Sequence, residues 1–472
     1  ALCIRYNYKF RGGIKLQTTN APKKSLLRIK LDDKPPMKQT LILAFQAIFS
    51  CFSGIVAVPL VVAGALGLKI SDTSFLVSCA LFASGLTTLI QAKGIGPIGS
   101  KLPFIMGTSF AFVSPAIAIG STYNGNMTLG IATICTATMV GALLEVILSF
   151  FINHVKKIFP PLVTGTVVTM IGITIIPVGI DWLAGGSGNP NYGDPKFLLL
   201  GAIVLIIIII TNQSKNTFIS SCSIFIGILC GYLLAIPLNL LDTTPISAAS
   251  WISIPRPLKF GIKFSIPAII SFLAVYLATT VETVGDTLAI GEACEIEVSD
   301  NQLSGGVLCD GLGSILAGFF NSTANTSFSQ CTGLINVTGV ASRFVIIIAG
   351  IILSIMGLIP KFASLISIMP SPVLGAAGIV MFGSIACSGI KILGKVDMTR
   401  RNIFVIGISF ALGVGVIVRP EALSMFPESL QIIFGSGVTT ATIFAVILNL
   451  ILPSDKSQKP VIKTKSGMSL SK

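Results

Sequence analysis

A chain of 472 residues has the length of two or three soluble domains, but 53% of its residues are hydrophobic and only 11% charged, with a mean hydropathy of +0.90. That composition does not cover a water-solvated surface, so the solvent around most of the chain must be lipid. The net charge of +14 would suggest nucleic acid in a soluble protein, yet it gathers in an arm (Arg5, Lys9, Arg11, Lys23, Lys24, Arg28, Lys30) and a tail (Lys456, Lys459, Lys463, Lys465, Lys472). Basic ends on a hydrophobic chain are expected to face lipid headgroups at the cytoplasmic side, with no nucleic-acid partner.

The arm, residues 1–38, is polar and basic without a short apolar core, so no cleavable signal peptide is expected. Apolar runs then recur to the tail at 454–472. In chain order they fall near 40–60, 74–90, 104–120, 129–152, 162–180, 197–210, 218–238, 266–282, 308–319, 328–337, 344–359, 373–392, 403–417 and 430–452. A hydrocarbon core of about 30 Å takes about 20 helical residues, which makes about fourteen crossings or part-crossings. An even number puts both basic ends on one side. The loops on that side, with Lys93, Lys101, Lys156, Lys157, Lys215, Arg343, Lys391, Lys395, Arg400 and Arg401, outweigh the opposite loops with Lys69, Lys196, Arg256, Lys259, Lys263, Lys361 and Arg419. Such a bias places both termini in the cytoplasm.

The third and tenth runs are abnormal in the same way: Pro103-Phe104-Ile105-Met106-Gly107-Thr108-Ser109-Phe110 and Thr326-Ser327-Phe328-Ser329-Gln330-Cys331-Thr332-Gly333 are short, polar and broken by glycine. Each is third in its half of the series. Corresponding broken helices in two halves point to an inverted repeat with a binding site at mid-membrane, where irregular backbone survives only if it is buried in protein or lines a cavity.

Four acidic residues interrupt apolar segments: Glu145, Glu282, Asp286 and Asp310. A carboxylate at the bilayer centre costs about 2.5–3.5 kcal/mol on insertion scales, so it faces a cavity or a partner and marks a transport path. Glu282 and Asp286 are four apart and share a helical face if the helix continues. Their like charges repel, and relief takes a proton on one of them or donors nearby; the alternative for Asp286 is a capping role at the cytoplasmic helix end. Asp310, in Cys309-Asp310-Gly311-Leu312-Gly313, is the second proton-site candidate, among glycines that let helices approach closely. Glu145 lacks polar neighbours in sequence and is expected to pair with a Ser or Thr of another helix.

The Gln330 amide joins a donor and an acceptor, matching the alternating N–H and C=O edge of a purine or pyrimidine, while the Glu282 carboxylate can accept from two ring N–H groups. Phe110 and Phe328 offer faces for stacking, although packing is the simpler reading of Phe328. Free N–H groups at the starts of the two broken helices add donors. Enzyme chemistry finds no support: the single histidine, His154, lies at a helix end beside Lys156 and Lys157. The cluster Gly185-Gly186-Ser187-Gly188 lacks the Lys-Ser/Thr of a phosphate loop. The ten cysteines are scattered without CxxC or metal spacing, so neither metal nor cofactor is expected.

The chain resembles the nucleobase-ascorbate transporter family, in its bacterial xanthine and uric acid permease branch. The resemblance runs from Leu31 to Pro453 through Leu31-Asp32-Asp33-Lys34-Pro35-Pro36, Gly107-Thr108-Ser109-Phe110-Ala111-Phe112, Glu282-Thr283-Val284-Gly285-Asp286-Thr287, Gly305-Gly306-Val307-Leu308-Cys309-Asp310-Gly311, and Ser329-Gln330-Cys331-Thr332-Gly333 with its extension to Arg343. It implies an all-α polytopic fold of two inverted seven-helix repeats, arranged as a core and a gate. The core would take 39–153 (spans 1–4) and 263–366 (spans 8–11), and the gate 154–262 (spans 5–7) and 367–453 (spans 12–14), with dimerisation through the gate. The resemblance further implies substrate contacts from Glu282 and Gln330, with Phe110, Ser109, Cys331 and Gly333 around them, and a coupling or packing role for Asp310 and Asp286. Proton symport of a purine base, xanthine or uric acid, at the cell membrane is the implied activity. Two departures stand out: Ala47 follows Gln46 where the branch usually has histidine, and Cys331 replaces the usual asparagine. Other readings are a symporter of uracil or another nucleobase, an anion exchanger on the same fold, and a sensor that transports nothing.

Overall fold

A computed structural model describes residues 27–453 apart from 124, 153–159 and 187. His154, Lys156, Lys157, the cations of the arm before Leu27 and those of the tail lie outside the described residues. Helices dominate because lipid offers no partner to a backbone amide, so each span satisfies its own. Their starts carry the expected signals. The Asp194 carboxylate accepts from Lys196 N at 2.8 Å ahead of Pro195–Asn212, and Ser299 and Gln302 form a reciprocal capping box on Asp300–Phe319.

The first half comprises α1 (Met37–Ala65), α2 (Ile70–Lys93), a strand β1 (Met106–Thr108), a 3₁₀ turn over Phe110–Phe112 leading into α3 (Val113–Ser121), α4 (Met127–Ser149), α5 (Pro161–Leu183), α6 (Pro195–Asn212), α7 (Thr217–Ser221) and α8 (Ser223–Ala235). After a short helix, α9 (Thr244–Ala248), the second half follows. It has α10 (Ile266–Ala293), α11 (Asp300–Phe319), β2 (Asn325–Ser327), α12 (Gln330–Thr338), α13 (Arg343–Gly357), α14 (Pro360–Ser367), α15 (Ser371–Leu393), α16 (Arg400–Val418), α17 (Glu428–Phe434) and α18 (Gly437–Ile451). Among the described residues, eight helices are long and apolar enough to cross a membrane, and the sharply bent pairs α13–α14 and α17–α18 raise that to ten. The remaining positions of the series are filled by α11, by α7 with α8, and by the two broken segments.

The packing carries the two-fold relation. The most extensive contacts join α5 to α15, α2 to α13 and α4 to α11. Exchanging the halves turns α2–α13 into α11–α4 and leaves α5–α15 as itself, which is what an inverted repeat requires. Close approach depends on glycine: a Cβ on Gly389 would stand 2.2 Å from Thr169 N, and one on Gly172 would stand 2.4 Å from Ala386 N. Helices α1, α2, α4, α10, α11 and α13 pack among themselves, as do α5, α6, α8, α15, α16 and α18. Between the groups, Phe225 of α8 stacks on Phe49 of α1 with centroids 4.0 Å apart, and Phe110 meets Phe382 of α15 edge-on at 5.5 Å. On the far side of the second group, Ile206, Ile210, Ile403 and Phe404 are exposed, as side chains facing lipid should be.

Ahead of α1 the chain is stitched to the loop behind α12. Arg28 N and Ile29 N donate to Gly339 C=O at 2.8 and 3.1 Å, and Ala341 N and Arg343 N donate to the carbonyls of Ile29 and Leu31 at 2.9 and 3.0 Å. Asp32 and Arg343 add an ion pair at 2.7 Å.

Candidate substrate-binding site

Strands β1 and β2 pair antiparallel, fully buried, with Met106 opposite Ser327, Gly107 opposite Thr326 and Thr108 opposite Asn325. Ser109 N–H donates to Ala324 C=O at 2.9 Å and Phe328 N–H to Ile105 C=O at 3.1 Å. The local two-fold axis therefore passes through the Gly107–Thr326 pair and makes Ser109 the counterpart of Phe328. The tripeptide Thr-Ser-Phe recurs at 108–110 and 326–328, but the hydrogen bonds set the two copies one residue out of step. An aromatic ring on one side of the axis consequently faces a hydroxyl on the other.

Each strand is anchored by different chemistry. Thr108 Oγ1 lies 3.2 and 2.9 Å from the carbonyls of Gly54 and Ile55 on α1, and Met106 N donates to Thr88 Oγ1 at 2.9 Å. Gly107 leaves room for Phe328, whose Cζ would lie 2.4 Å from a Cβ there. Strand β2 hangs on Asp310 of α11, which is fully buried. Its carboxylate accepts from Thr283 Oγ1 at 2.5 Å, Ser327 Oγ at 3.0 Å, Ser327 N at 3.2 Å and Thr326 Oγ1 at 3.3 Å. Ser327 Oγ in turn accepts from Gln91 Nε2 at 3.2 Å, and Asn325 exchanges backbone bonds with Ser314 Oγ, both 3.0 Å. A buried carboxylate with that many donors is a satisfied charge that locks three elements together.

Where the strands hand over to α3 and α12, a cavity of about 40 Å³ opens, lined by Ser109, Phe110, Thr326, Ser329, Gln330 and Glu282, with Ile171 of α5 and Ile385 of α15 closing the opposite wall. Neither the Glu282 carboxylate nor the Gln330 amide is hydrogen-bonded among the described residues. Two uncommitted polar groups of matched hydrogen-bonding character share one small space beside two aromatic rings.

The sequence-predicted residues thus divide. Glu282, Gln330, Phe110 and Ser109 meet at the cavity. Cys331 and Gly333 do not: the Cys331 thiol is turned back to β1, where its sulfur accepts from Ile105 N at 3.2 Å, and Gly333 sits on an exposed face of α12. Cys331 and Ala47 line a separate, smaller space of about 20 Å³. Asp286 is on the same helix as Glu282, since α10 runs to Ala293 rather than ending near Glu282. It lies mid-helix, which removes the capping role, and one of its carboxylate oxygens is buried without a hydrogen-bond partner among the described residues. Glu145 is buried and has Thr279 and Thr280 of α10 at 3.4 Å, the partners its surroundings called for. Thr326, Ser329, Gln91, Ile171 and Ile385 were missed. Gln91 carried a signal, an amide within an apolar span; the two isoleucines carried none. Among the described residues no group of three His, Cys, Asp or Glu could hold a metal ion.

A family model described as "Permease family" matches residues 38–422. The chain belongs to the nucleobase-ascorbate transporter family. Among its relatives, a Clostridium perfringens protein named as a purine permease is 47% identical over 89% of this chain and 92% of that one. The Escherichia coli uric acid transporter UacT is 39% identical over 90% and 88%, and the E. coli xanthine permease XanP 36% identical over 92% and 96%. Solved structures share the fold at low identity. The transmembrane domain of the cyanobacterial bicarbonate transporter BicA superposes with a TM-score of 0.60 at 14% identity, covering 89% of this chain and all of that one. The murine anion transporter Slc26a9 in its inward-facing state gives 0.58 at 12%, covering 94% and 77%. The fold of this transporter-family member is accordingly a multi-pass helical membrane protein of two inverted seven-helix repeats.

Proposed function

We propose that the protein imports a purine base, xanthine or uric acid, by proton-coupled symport across the cell membrane with both termini in the cytoplasm. The observation that carries the reading is the meeting of Glu282 and Gln330, both without a hydrogen bond among the described residues, at one cavity between the broken helices. Glu282 accepts ring N–H groups, Gln330 reads a neighbouring N–H/C=O edge, and Phe110 flanks the plane. Glu282 is also the first candidate for the coupled proton, because a carboxylate in a low-dielectric cavity without donors is relieved by protonation. Asp286, with its unpartnered oxygen, is the second. Asp310, already saturated with donors, serves coupling by holding Ser327 and Thr326 in place.

At about 40 Å³ the cavity is far below the roughly 300 Å³ at which ligand pockets begin. A bicyclic base enters when the core (39–153 and 263–366) moves against the gate (154–262 and 367–453), drawing Phe110 and Glu282 away from Ile171 and Ile385. Alternating access by rocking of two rigid units fits the fold. The apolar outer face of α6 and α16 suits a gate-to-gate homodimer.

The anion-exchanger reading draws support from the fold, since BicA and Slc26a9 are named for anions. Glu282 opposes it, because a central carboxylate repels an anion. Uptake of labelled xanthine, urate, uracil and sulfate into cells expressing the chain, with and without a proton gradient, separates the readings. Xanthine or urate should accumulate only with the gradient, and Glu282→Gln should abolish accumulation while the protein still reaches the membrane. Accumulation of sulfate, or normal purine uptake by Glu282→Gln, overturns the proposal.

A further inference from the structure

A larger chamber, of about 360 Å³, lies between α3, the C-terminal half of α5 and the α16–α17 region. It lies about one helical turn beyond the central cavity along the same segments. Phe110 and Ala111 line the inner cavity, and Ser114 and Ser121 on the α3 that follows line the chamber; on α5, Ile171 closes the inner cavity and Thr174 and Val178, one and two turns on, line the chamber. One face of each helix therefore runs from one space into the next.

The hydrogen bonding of this chamber is one-sided. Thr174 Oγ1 donates to Ile171 C=O at 3.0 Å, Ser121 Oγ to Ala118 C=O at 2.9 Å and Thr122 Oγ1 to Ile119 C=O at 2.8 Å. Gln431 Nε2 is spent on the carbonyls of Ser424 and Phe426 at 3.2 and 2.7 Å. These four groups have committed their donors to backbone and present oxygen lone pairs to the chamber, while the Ser114 hydroxyl, without a hydrogen bond among the described residues, keeps its donor. No charged side chain lines it. A wall with four acceptor groups, a single free hydroxyl donor and no cation attracts N–H donors and disfavours anions.

We infer that this chamber is a second binding station, selective for neutral, N–H-rich heterocycles, which holds the base before it passes Phe110 and Ile171 into the Glu282–Gln330 cavity. Its volume falls in the ordinary range of ligand pockets, roughly 300–1,000 Å³. The inference rests on the purine reading above and adds a residue-level claim: Thr174, Thr122 and Gln431 screen ligands by their donors, ahead of the central site. Loss of acceptors that bind ground state and transition state alike raises KM and leaves the maximal rate unchanged.

The test uses the full chain in proteoliposomes. The isosteric pair Thr174→Val/Thr122→Val should raise the KM for xanthine about fivefold, with the saturated rate within about twofold of the unaltered chain. It should also reduce the preference for xanthine over N-methylated xanthines. An unchanged KM together with an unchanged preference overturns the station. Should the pair fail to insert, Ser114→Cys in the Glu282→Gln background gives a second reading through labelling by a membrane-impermeant thiol reagent, counted above that of the unaltered chain. Protection by xanthine without a working central site supports the station, and its absence overturns it. If the unaltered chain takes up no purine, the parent reading fails as well; if uptake is normal and the Thr variants behave as the unaltered chain, the station alone falls.

Discussion

Strand β1 and strand β2 lie on either side of one local axis with matched backbone hydrogen bonds, yet they are secured by unlike means. The first leans on backbone: Thr108 reaches the carbonyls of α1, and Gly107 lets Phe328 close over it. The second leans on a buried charge, with Asp310 gathering donors from α10 and from β2 itself. The same contrast continues into the helices that follow, since the 3₁₀ turn before α3 opens with Phe110 and α12 opens with Gln330. A duplicated backbone supplies the symmetric frame, and side-chain divergence makes one half of the site a packing surface and the other a polar one.

Breaking the charged anchor should cost most. Asp310→Asn replaces an acceptor by an amide whose N–H₂ group faces donors, so it should destabilise the detergent-solubilised protein by about 3 kcal/mol and reduce uptake more than tenfold. Thermal unfolding checks the first and transport the second. Unchanged thermal stability with uptake freed from the pH gradient would instead make Asp310 a proton carrier. On the other strand, Gly107→Ala forces a methyl to within 2.4 Å of the Phe328 ring and should lower uptake about tenfold. Partial recovery in Gly107→Ala/Phe328→Leu would locate the fault in that contact, and no recovery would place it in the strand. The smallest effect belongs to Glu145→Gln, where an amide oxygen can still accept from Thr279 and Thr280; uptake within about twofold of normal is expected. A larger loss would give Glu145 more than a packing role.

The parts of the site that could be read from the sequence are those that lipid makes expensive. Glu282, Asp310 and the two glycine-broken segments declared themselves because charge and irregular backbone at mid-membrane require a cavity or a partner. The phase of α12 did not. With nine residues and a non-helical approach, nothing local states which side of it faces the cavity, so Cys331 and Gly333 were grouped with Gln330 while Thr326 and Ser329 were passed over. Ile171 and Ile385 were invisible for the opposite reason: an apolar residue in an apolar span carries no mark of the wall it forms. The apolar pattern of the eighth span stops near Glu282, where polarity rises, whereas α10 continues to Ala293 with Thr283 and Thr287 buried and Glu282 at the cavity.

The stitching of Arg28–Arg343 neighbours gives the stretch ahead of the first span a mechanical standing. Leu31 and Ile29 hold the loop that ends α12, and the Asp32–Arg343 pair clasps it from the side. Tension applied to the chain before Arg28 is thereby transmitted to Gly339, and along a nine-residue rod to Gln330 at its other end.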